Sequence, residues 1–431
     1  MENNFSKKLI LGFQHVLAMF GATVLVPALT GLNASIALLC AGLGTLLFHF
    51  VTKRKVPVFL GSSFAFIAAI QAVIVIDEVN KIPTLESLAK VKGALIVAGG
   101  IYALFALLIK LIGYEKVTRI LPAIVTGPMI IVIGLRLSGT AINSAFYRTV
   151  ANADGTSSTF FEPKFVLIAA IVVITIISIS VFTKGFLNLM PILIALIVGI
   201  IVSVIMGEFD PVNLKSANYI SFTDDTIWKQ LTQLPKFDLT AILAIAPISI
   251  VTLIEHVGDI TTNGAVVGKN FVADPGVHRT ILGDGLATAL AGLLGGPANT
   301  TYGENTGVLA VTKNYDPSII RIAAVISVIL GVFGKFGGAI QDIPDPVKGG
   351  VSIVLFGMIA SIGVRILINN RIDMSNSRNL MISSLIFVLG IGITNIPITD
   401  TIEISGLAIA AFVGIITALV LPEKAGTKQA E

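Results

Sequence analysis

Apolar residues fill this chain in long runs, neither alternating with polar ones nor confined to one helical stripe. Stretches of about 17 to 25 mostly apolar residues follow one another from end to end, each long enough to cross a hydrocarbon core about 30 Å thick. Fourteen such runs are predicted, the first centred near Ala18 and the last near Ile409. The third, near Ala68, and the tenth, near Leu309, are the least regular, being broken by Gly, Pro, Ser, Thr and Asn. The fold class expected is therefore an all-α polytopic membrane protein with about 14 transmembrane segments.

Composition agrees. Hydrophobic residues make up 55% of the 431 and charged residues only 13%, with a mean hydropathy of +0.92. That leaves too little polar surface to clothe a water-soluble globule of this size. The first run follows Lys7 and Lys8 without a small-residue cleavage site and leads straight into further spans, so it reads as a retained helix. The single cysteine, Cys40, excludes an intrachain disulfide and a cysteine-based metal site. No cofactor or metal is expected, and no basic patch supports nucleic-acid binding.

The cations are distributed unevenly. With the N-terminus cytoplasmic, the segments on that face carry 18 of the 29 Lys and Arg residues, among them Lys53, Arg54, Lys55, Arg365, Arg371 and Arg378. Lys116, Arg119, Lys424 and Lys428 belong to the same set. The polar loop expected from Ser138 to Lys164 and the acidic connection from Glu208 to Asp238 fall outside. This bias places both termini in the cytoplasm.

A faint repeat relates the two parts of the chain. "FQHV" at Phe13 resembles "IEHV" at Ile254, and "SSFAF" at Ser62 resembles "TTYGE" at Thr300, at offsets of 241 and 238 residues. Seven spans separate each matched pair, so the repeats cross the membrane in opposite senses. Inverted repeats with interrupted segments at equivalent positions are a feature of secondary transporters.

The interrupted segments, "PVFLGSSFAF" and "GGPANTTYGEN", are expected to be short extended pieces leading into half-helices. Non-helical backbone at membrane depth is tolerated only against protein or a water-filled cavity, so the two should face each other. Glu304 sits at one break and Glu255 lies within the eighth run. A charge at such depth costs at least about 2.5 to 3.5 kcal/mol on insertion scales, which favours a functional role over a packing network. Asp259, four residues after Glu255, shares its helix face, as a possible proton-coupling partner or a helix-end acid. His256 points roughly 100° away. His256 and His15 are candidates for supporting hydrogen bonds, whereas His49 and His278, beside basic loops, read as interfacial. Phe64 and Tyr302 occupy equivalent repeat positions and suggest a slot for a flat ring. Carboxylates for N–H groups, free backbone N–H groups for carbonyls, and aromatics for a face together match a planar cyclic amide or imide.

The motifs "QHVLAMFGATVLVP" from Gln14, "GSSFAF" from Gly61, "EHVGD" from Glu255, "DPGVHR" from Asp274 and "NTTYGENTGVLAVTK" from Asn299 resemble the nucleobase-ascorbate transporter family over essentially the whole chain. The resemblance implies seven plus seven inverted spans, with short strands in spans three and ten. It also implies a core domain from residues 1–115 and 238–338, a gate domain from 116–237 and 339–431, and a homodimer in the cell membrane. Carried over by position, Glu255 and Glu304 would accept hydrogen bonds from pyrimidine N–H groups, and backbone at Phe64, Tyr302 and Gly303 would bind or border the ring. Ser63 and Asn305 would stand behind them.

Purine transporters of the family tend to have Gln-Asn where this chain has Glu304-Asn305, which favours uracil. Some members carry a His where Asp259 stands here, so Glu255 becomes the first choice for the coupling proton. The expected activity is uracil import coupled to protons, with uracil, protons and membrane lipid as partners. A purine or other nucleobase transporter and, on a related fold, an anion exchanger or channel stay open as alternatives. No zinc-protease, prenyltransferase-like or phosphate-loop motif supports a membrane enzyme.

Overall fold

A computed structural model of the protein describes residues 5–77, 82–114, 122–151, 157–399 and 402–422. Lys116, Arg119, Lys424 and Lys428 lie outside the described residues. The chain is mostly helical. It opens with α1 (Phe5–Thr30) and α2 (Ala34–Val51), then β1 (Leu60–Ser62), a 3-10 turn and the short α3 (Ile67–Gln71). Next come α4 (Leu85–Ile112), α5 (Ala123–Arg136), α6 (Ser138–Phe146), the hairpin β2 (Tyr147–Ala151) and β3 (Ser157–Phe161), α7 (Pro163–Phe182) and α8 (Pro191–Ile205). Two short helices, α9 (Val212–Ser216) and α10 (Asp225–Thr232), precede α11 (Leu239–Ile245), α12 (Ile248–Val267) and α13 (Val277–Leu294). The chain then runs through β4 (Asn299–Thr301), α14 (Gly303–Thr312), α15 (Pro317–Val332), α16 (Gly334–Gln341) and α17 (Asp345–Asn369). It ends in α18 (Ser377–Gly392), the pair β5 (Asn395–Thr399) and β6 (Ile402–Ser405), and α19 (Gly406–Val420).

Among the described residues, seven helical stretches are long and apolar enough to cross a membrane, and four shorter helices are strongly apolar. Their ends follow local chemistry. Asn33 accepts from the Ser35 and Ile36 amides to start α2, Thr84 caps α4, and Asp238 caps α11. Left-handed Gly268 and Gly295 stop α12 and α13, where a side chain would be strained. Large apolar side chains such as Leu104, Leu107 and Leu111 on α4 and Ile174 and Val181 on α7 stand exposed on the outer surface. On a water-soluble protein so many would be a liability, but against lipid tails they are the appropriate surface.

Small residues bring the helices close. A Cβ on Gly285 of α13 would lie 2.4 Å from Tyr102 Cβ and 2.9 Å from the Gly99 carbonyl oxygen of α4. With little hydrophobic drive between helices in lipid, such backbone approach supplies the dispersion contacts that hold them.

The segment from Ser138 to Lys164, expected as a polar loop, is instead α6 followed by the β2–β3 hairpin. Ala141 and Ala145 of α6 are buried, and a Cβ on Gly349 of α17 would lie 2.3 Å from the Ala145 amide nitrogen, so small residues let α6 seat on α17. Arg148 in the hairpin reaches Glu162 and Glu208, at 3.2 and 2.6 Å.

The connection after α8 is clamped to the helices beneath it. Asp342 accepts from the Asn213 and Leu214 amides at the start of α9, at 3.0 and 2.7 Å. Lys92, buried in α4, donates to the carbonyls of Gln230, Leu231 and Gln233 at 3.0, 3.2 and 2.6 Å, around the C-terminal end of α10. A cation there complements the helix dipole and satisfies carbonyls that the helix leaves open. Lys92→Met is expected to destabilise the purified protein by about 2 kcal/mol, the scale of a lost charged hydrogen bond, read as a lower unfolding midpoint in detergent.

Candidate functional site

β1 and β4 pair antiparallel in the interior, with Leu60 opposite Thr301, Gly61 opposite Thr300 and Ser62 opposite Asn299. Two flanking backbone bonds extend the match, from the Ser63 amide to Ala298 at 2.8 Å and from the Tyr302 amide to Phe59 at 3.0 Å. Side chains satisfy what the two short strands leave over. Thr45 of α2 both accepts from the Leu60 amide at 2.9 Å and donates to its carbonyl at 3.2 Å. Thr288 of α13 donates to the Asn299 carbonyl at 2.7 Å, and the Asn299 side-chain nitrogen, Nδ2, donates to the Cys40 carbonyl at 2.7 Å. Outside the strands, Asn263 of α12 ties the segment before β1 to α14, donating to Thr306 and to the Pro57 carbonyl at 3.1 and 3.3 Å. The extended pieces and half-helices expected from the broken runs are thus present, and they face each other.

Each strand turns directly into a helix start, at Phe64 after β1 and at Gly303 after β4. The first amides of a helix have no partner within it, so both starts present donors and a positive dipole end. They border a cavity of about 580 Å³. Ser63, Phe64, Tyr302, Gly303 and Glu304 line it from the two breaks, and Glu255 and Asp259 from α12. The opposite wall comes from α5 and α17: Ile130, Ile133, Leu355, Ile359 and Ile362 are apolar, and Arg365 is charged.

Glu255 and Asp259 share the face of α12 that looks into this space, as their four-residue spacing requires. Thr301 donates to Asp259 Oδ2 at 2.8 Å, tying that carboxylate to the end of β4. Tyr302 is fixed at the end of β4: its hydroxyl donates to the Ser62 carbonyl at 2.7 Å and accepts from Thr23 at 3.4 Å. Its ring lies across Gly61, where a Cβ would sit 2.5 Å from Cζ. The result is a cavity with carboxylate acceptors and backbone donors on one wall and an apolar opposite wall, suited to a flat polar ring.

His256, His15 and Asn305 do not line the cavity. His256 turns away into the protein, where its Nδ1 lies 3.2 Å from Asp284 Oδ2 with both side chains buried. His15 of α1 and Asn305 meet each other: the Asn305 side-chain nitrogen is 3.1 Å from His15 Nδ1 and donates to the His15 carbonyl at 3.1 Å. That contact docks α14 on α1 and so positions Glu304 beside it.

The interfacial reading of His49 is corrected. It is buried, with Nε2 3.0 Å from the Val58 carbonyl, because the chain folds back over the end of α2 to enter β1. Sequence reasoning missed Asp284, whose only signal was an acid inside an apolar run. It also missed Thr301, and it counted Arg365 only as a topogenic cation.

The sequence profile of the Permease family matches residues 6–399. This chain belongs to that family. It is 43% identical to a uracil permease of Bacillus caldolyticus over 96% of its own length and 91% of that protein. It is 36% identical to a uracil permease of Escherichia coli (strain K12), over 94% of this chain and 89% of that one. Among solved structures, the fold is similar to the transmembrane domain of a cyanobacterial bicarbonate transporter, with a TM-score of 0.59 at 15% identity over 97% and 98% of the two chains. It is also similar to the murine solute carrier 26 member A9 anion transporter, with a TM-score of 0.67 at 10% identity over 97% of this chain and 68% of that one. Family and apolar helices together make this a multi-pass membrane protein.

The packing around Gly61 can be tested by itself. Gly61→Val is expected to push Tyr302 off the strand pair and lower stability by about 1 to 3 kcal/mol, the usual cost of overpacking, seen as a lower unfolding midpoint.

Proposed function

We propose that this permease imports uracil together with protons, by alternating access in the cell membrane with both termini cytoplasmic. The observation that carries the reading is the placement of Glu255 and Glu304 on one wall of the cavity, beside the helix starts at Phe64 and Gly303. Uracil offers two ring N–H donors to those carboxylates, two carbonyl acceptors to backbone amides, and a flat face to Phe64, Tyr302 and the apolar opposite wall. The identity of 36 to 43% with uracil permeases over nearly the whole chain supports the same substrate.

In this reading the strand and half-helix units β1–α3 and β4–α14 are spans three and ten of fourteen, and the chain is a seven-plus-seven inverted repeat. Residues 1–115 and 238–338 form the core, and residues 116–237 and 339–431 form the gate. The cavity lining divides along those bounds, carboxylates and strand ends from the core and the apolar stripe from the gate. Transport then follows when the core moves against the gate and exposes the site to each side in turn. Coupling arises when protonation of Glu255, with Asp259 as its partner, changes the relative free energies of the two states. A homodimer is part of the proposal.

A purine transporter of the same fold is the nearest alternative, and Glu304-Asn305 is the feature against it. The likeness to anion transporters extends to the fold alone, and an anion site would be poorly served by Glu255, Asp259 and Glu304 on one wall.

Uracil is expected to bind the purified protein saturably, with xanthine a weak competitor in a scintillation-proximity assay. Glu304→Gln is expected to weaken uracil binding about tenfold or more, the scale of a charge-assisted hydrogen bond lost from a buried site. No uracil binding in folded wild type would overturn the substrate reading. Glu255→Gln is expected to abolish accumulation driven by a pH gradient in proteoliposomes, and accumulation equal to wild type would remove Glu255 from the coupling step.

A further inference from the structure

Charge is divided across the cavity. Glu255, Asp259 and Glu304 line it from one side, and on the α5 and α17 side Arg365 is the charged lining residue. Arg365 is exposed to the cavity and has neither an ion pair within 4.0 Å nor a hydrogen bond among the described residues. It continues a single stripe on α17: Leu355, Met358, Ile362 and Arg365 recur at intervals of three and four residues. The apolar members of that stripe face the ring-binding region, and Arg365 lies beyond them toward the C-terminal end of the helix.

We propose that Arg365 is an inner-gate residue that pairs with Asp259 when the cavity closes on its cytoplasmic side. The inference rests on the transport reading for its direction, because span twelve then runs from the outer to the inner face and carries Arg365 to the cytoplasmic end. On α12, which runs the same way in that topology, Asp259 is one turn nearer the cytoplasm than Glu255. Asp259 is also held in place, by Thr301 at 2.8 Å, so its carboxylate is already oriented along the cavity wall.

The physical reason is solvation. In an open cavity water serves the guanidinium. As core and gate come together that water leaves, and an unpaired guanidinium at this depth would oppose closure. A carboxylate on the approaching wall offsets that cost and supplies the planar two-oxygen acceptor that Arg matches best. Glu255 and Glu304 face the same space, while Asp284 and His256 lie behind it, 3.2 Å apart. This leaves Glu255 and Glu304 for the substrate and gives Asp259, the coupling partner of Glu255, a second partner in the gate. Arg365 acts through Asp259 and the closed state, so it is a positioning residue.

The test uses the full-length protein with Cys40→Ala and a reporter, Met358→Cys, in the apolar stripe. A membrane-impermeant neutral maleimide is applied from either face of oriented proteoliposomes, and the ratio of inner to outer labelling rates reports the ratio of inward-open to outward-open states. Arg365→Gln is expected to raise that ratio about fivefold or more by removing the pair that holds the inner side closed. Arg365→Lys, which keeps the charge, is expected to restore most of the shift. Asp259→Asn should raise the ratio by a similar factor, and the double variant no further than either single one. An unchanged or lowered ratio in Arg365→Gln overturns the proposal, as do fully additive single effects.

Uracil binding is measured alongside. Affinity within about twofold of wild type in Arg365→Gln is the expected result, because the pair forms outside the ring site. A large loss of affinity with an unchanged labelling ratio would make Arg365 a substrate contact and overturn the gate role. Failure of wild type to bind uracil would refute the substrate reading, while the labelling ratio would still decide whether Arg365 and Asp259 pair.

Discussion

The architecture depends on one constraint, that every backbone N–H and C=O inside the apolar interior must find a partner. A helix meets it internally, but residues 60–62 and 299–301 do not form helix. They meet it by pairing with each other and by recruiting side chains from two helices: Thr45 from α2 and Thr288 from α13. An unsatisfied group in such surroundings costs several kcal/mol, so the strands cannot part without new partners. Two segments more than 230 residues apart are therefore locked together, and the helices that serve them are locked with them.

That pairing also creates the site. A strand that ends inside the protein and turns into a helix leaves the first amides of the helix without partners. The antiparallel pair does this twice, at Phe64 and at Gly303, on the border of one cavity. Donors and the positive ends of two dipoles converge there, and carboxylates from α12 and α14 supply acceptors beside them. The opposite wall, from α5 and α17, is apolar apart from Ser361 and Arg365.

Some of this was legible in residue order because the relevant physics is local. Long apolar runs fix which segments seek lipid, and clustered Gly, Pro, Ser, Thr and Asn mark where helix fails. The four-residue spacing of Glu255 and Asp259 fixes their common face. Other features were not legible because they depend on distant partners. His49 sits beside a basic loop in the sequence, yet it is buried because Pro57 and Val58 fold back over the end of α2. The residues after Leu137 look polar enough for a loop, but small side chains on α6 and Gly349 on α17 make a helix worth packing. Asp284 reads as an isolated acid until His256 is seen 3.2 Å away.

The sequence by itself determined that the chain is a membrane protein of many apolar helices, that two of its apolar runs are broken, and that acids stand near the breaks. It did so because hydropathy, helix propensity and helical periodicity act over tens of residues or fewer. Only the tertiary structure decided that the two breaks pair strand to strand, that Glu255, Asp259 and Glu304 share one cavity, and that Arg365 stands across it. Those relations join residues on separate helices, and the requirement that buried polar groups be satisfied selects among pairings only when the whole interior is assembled.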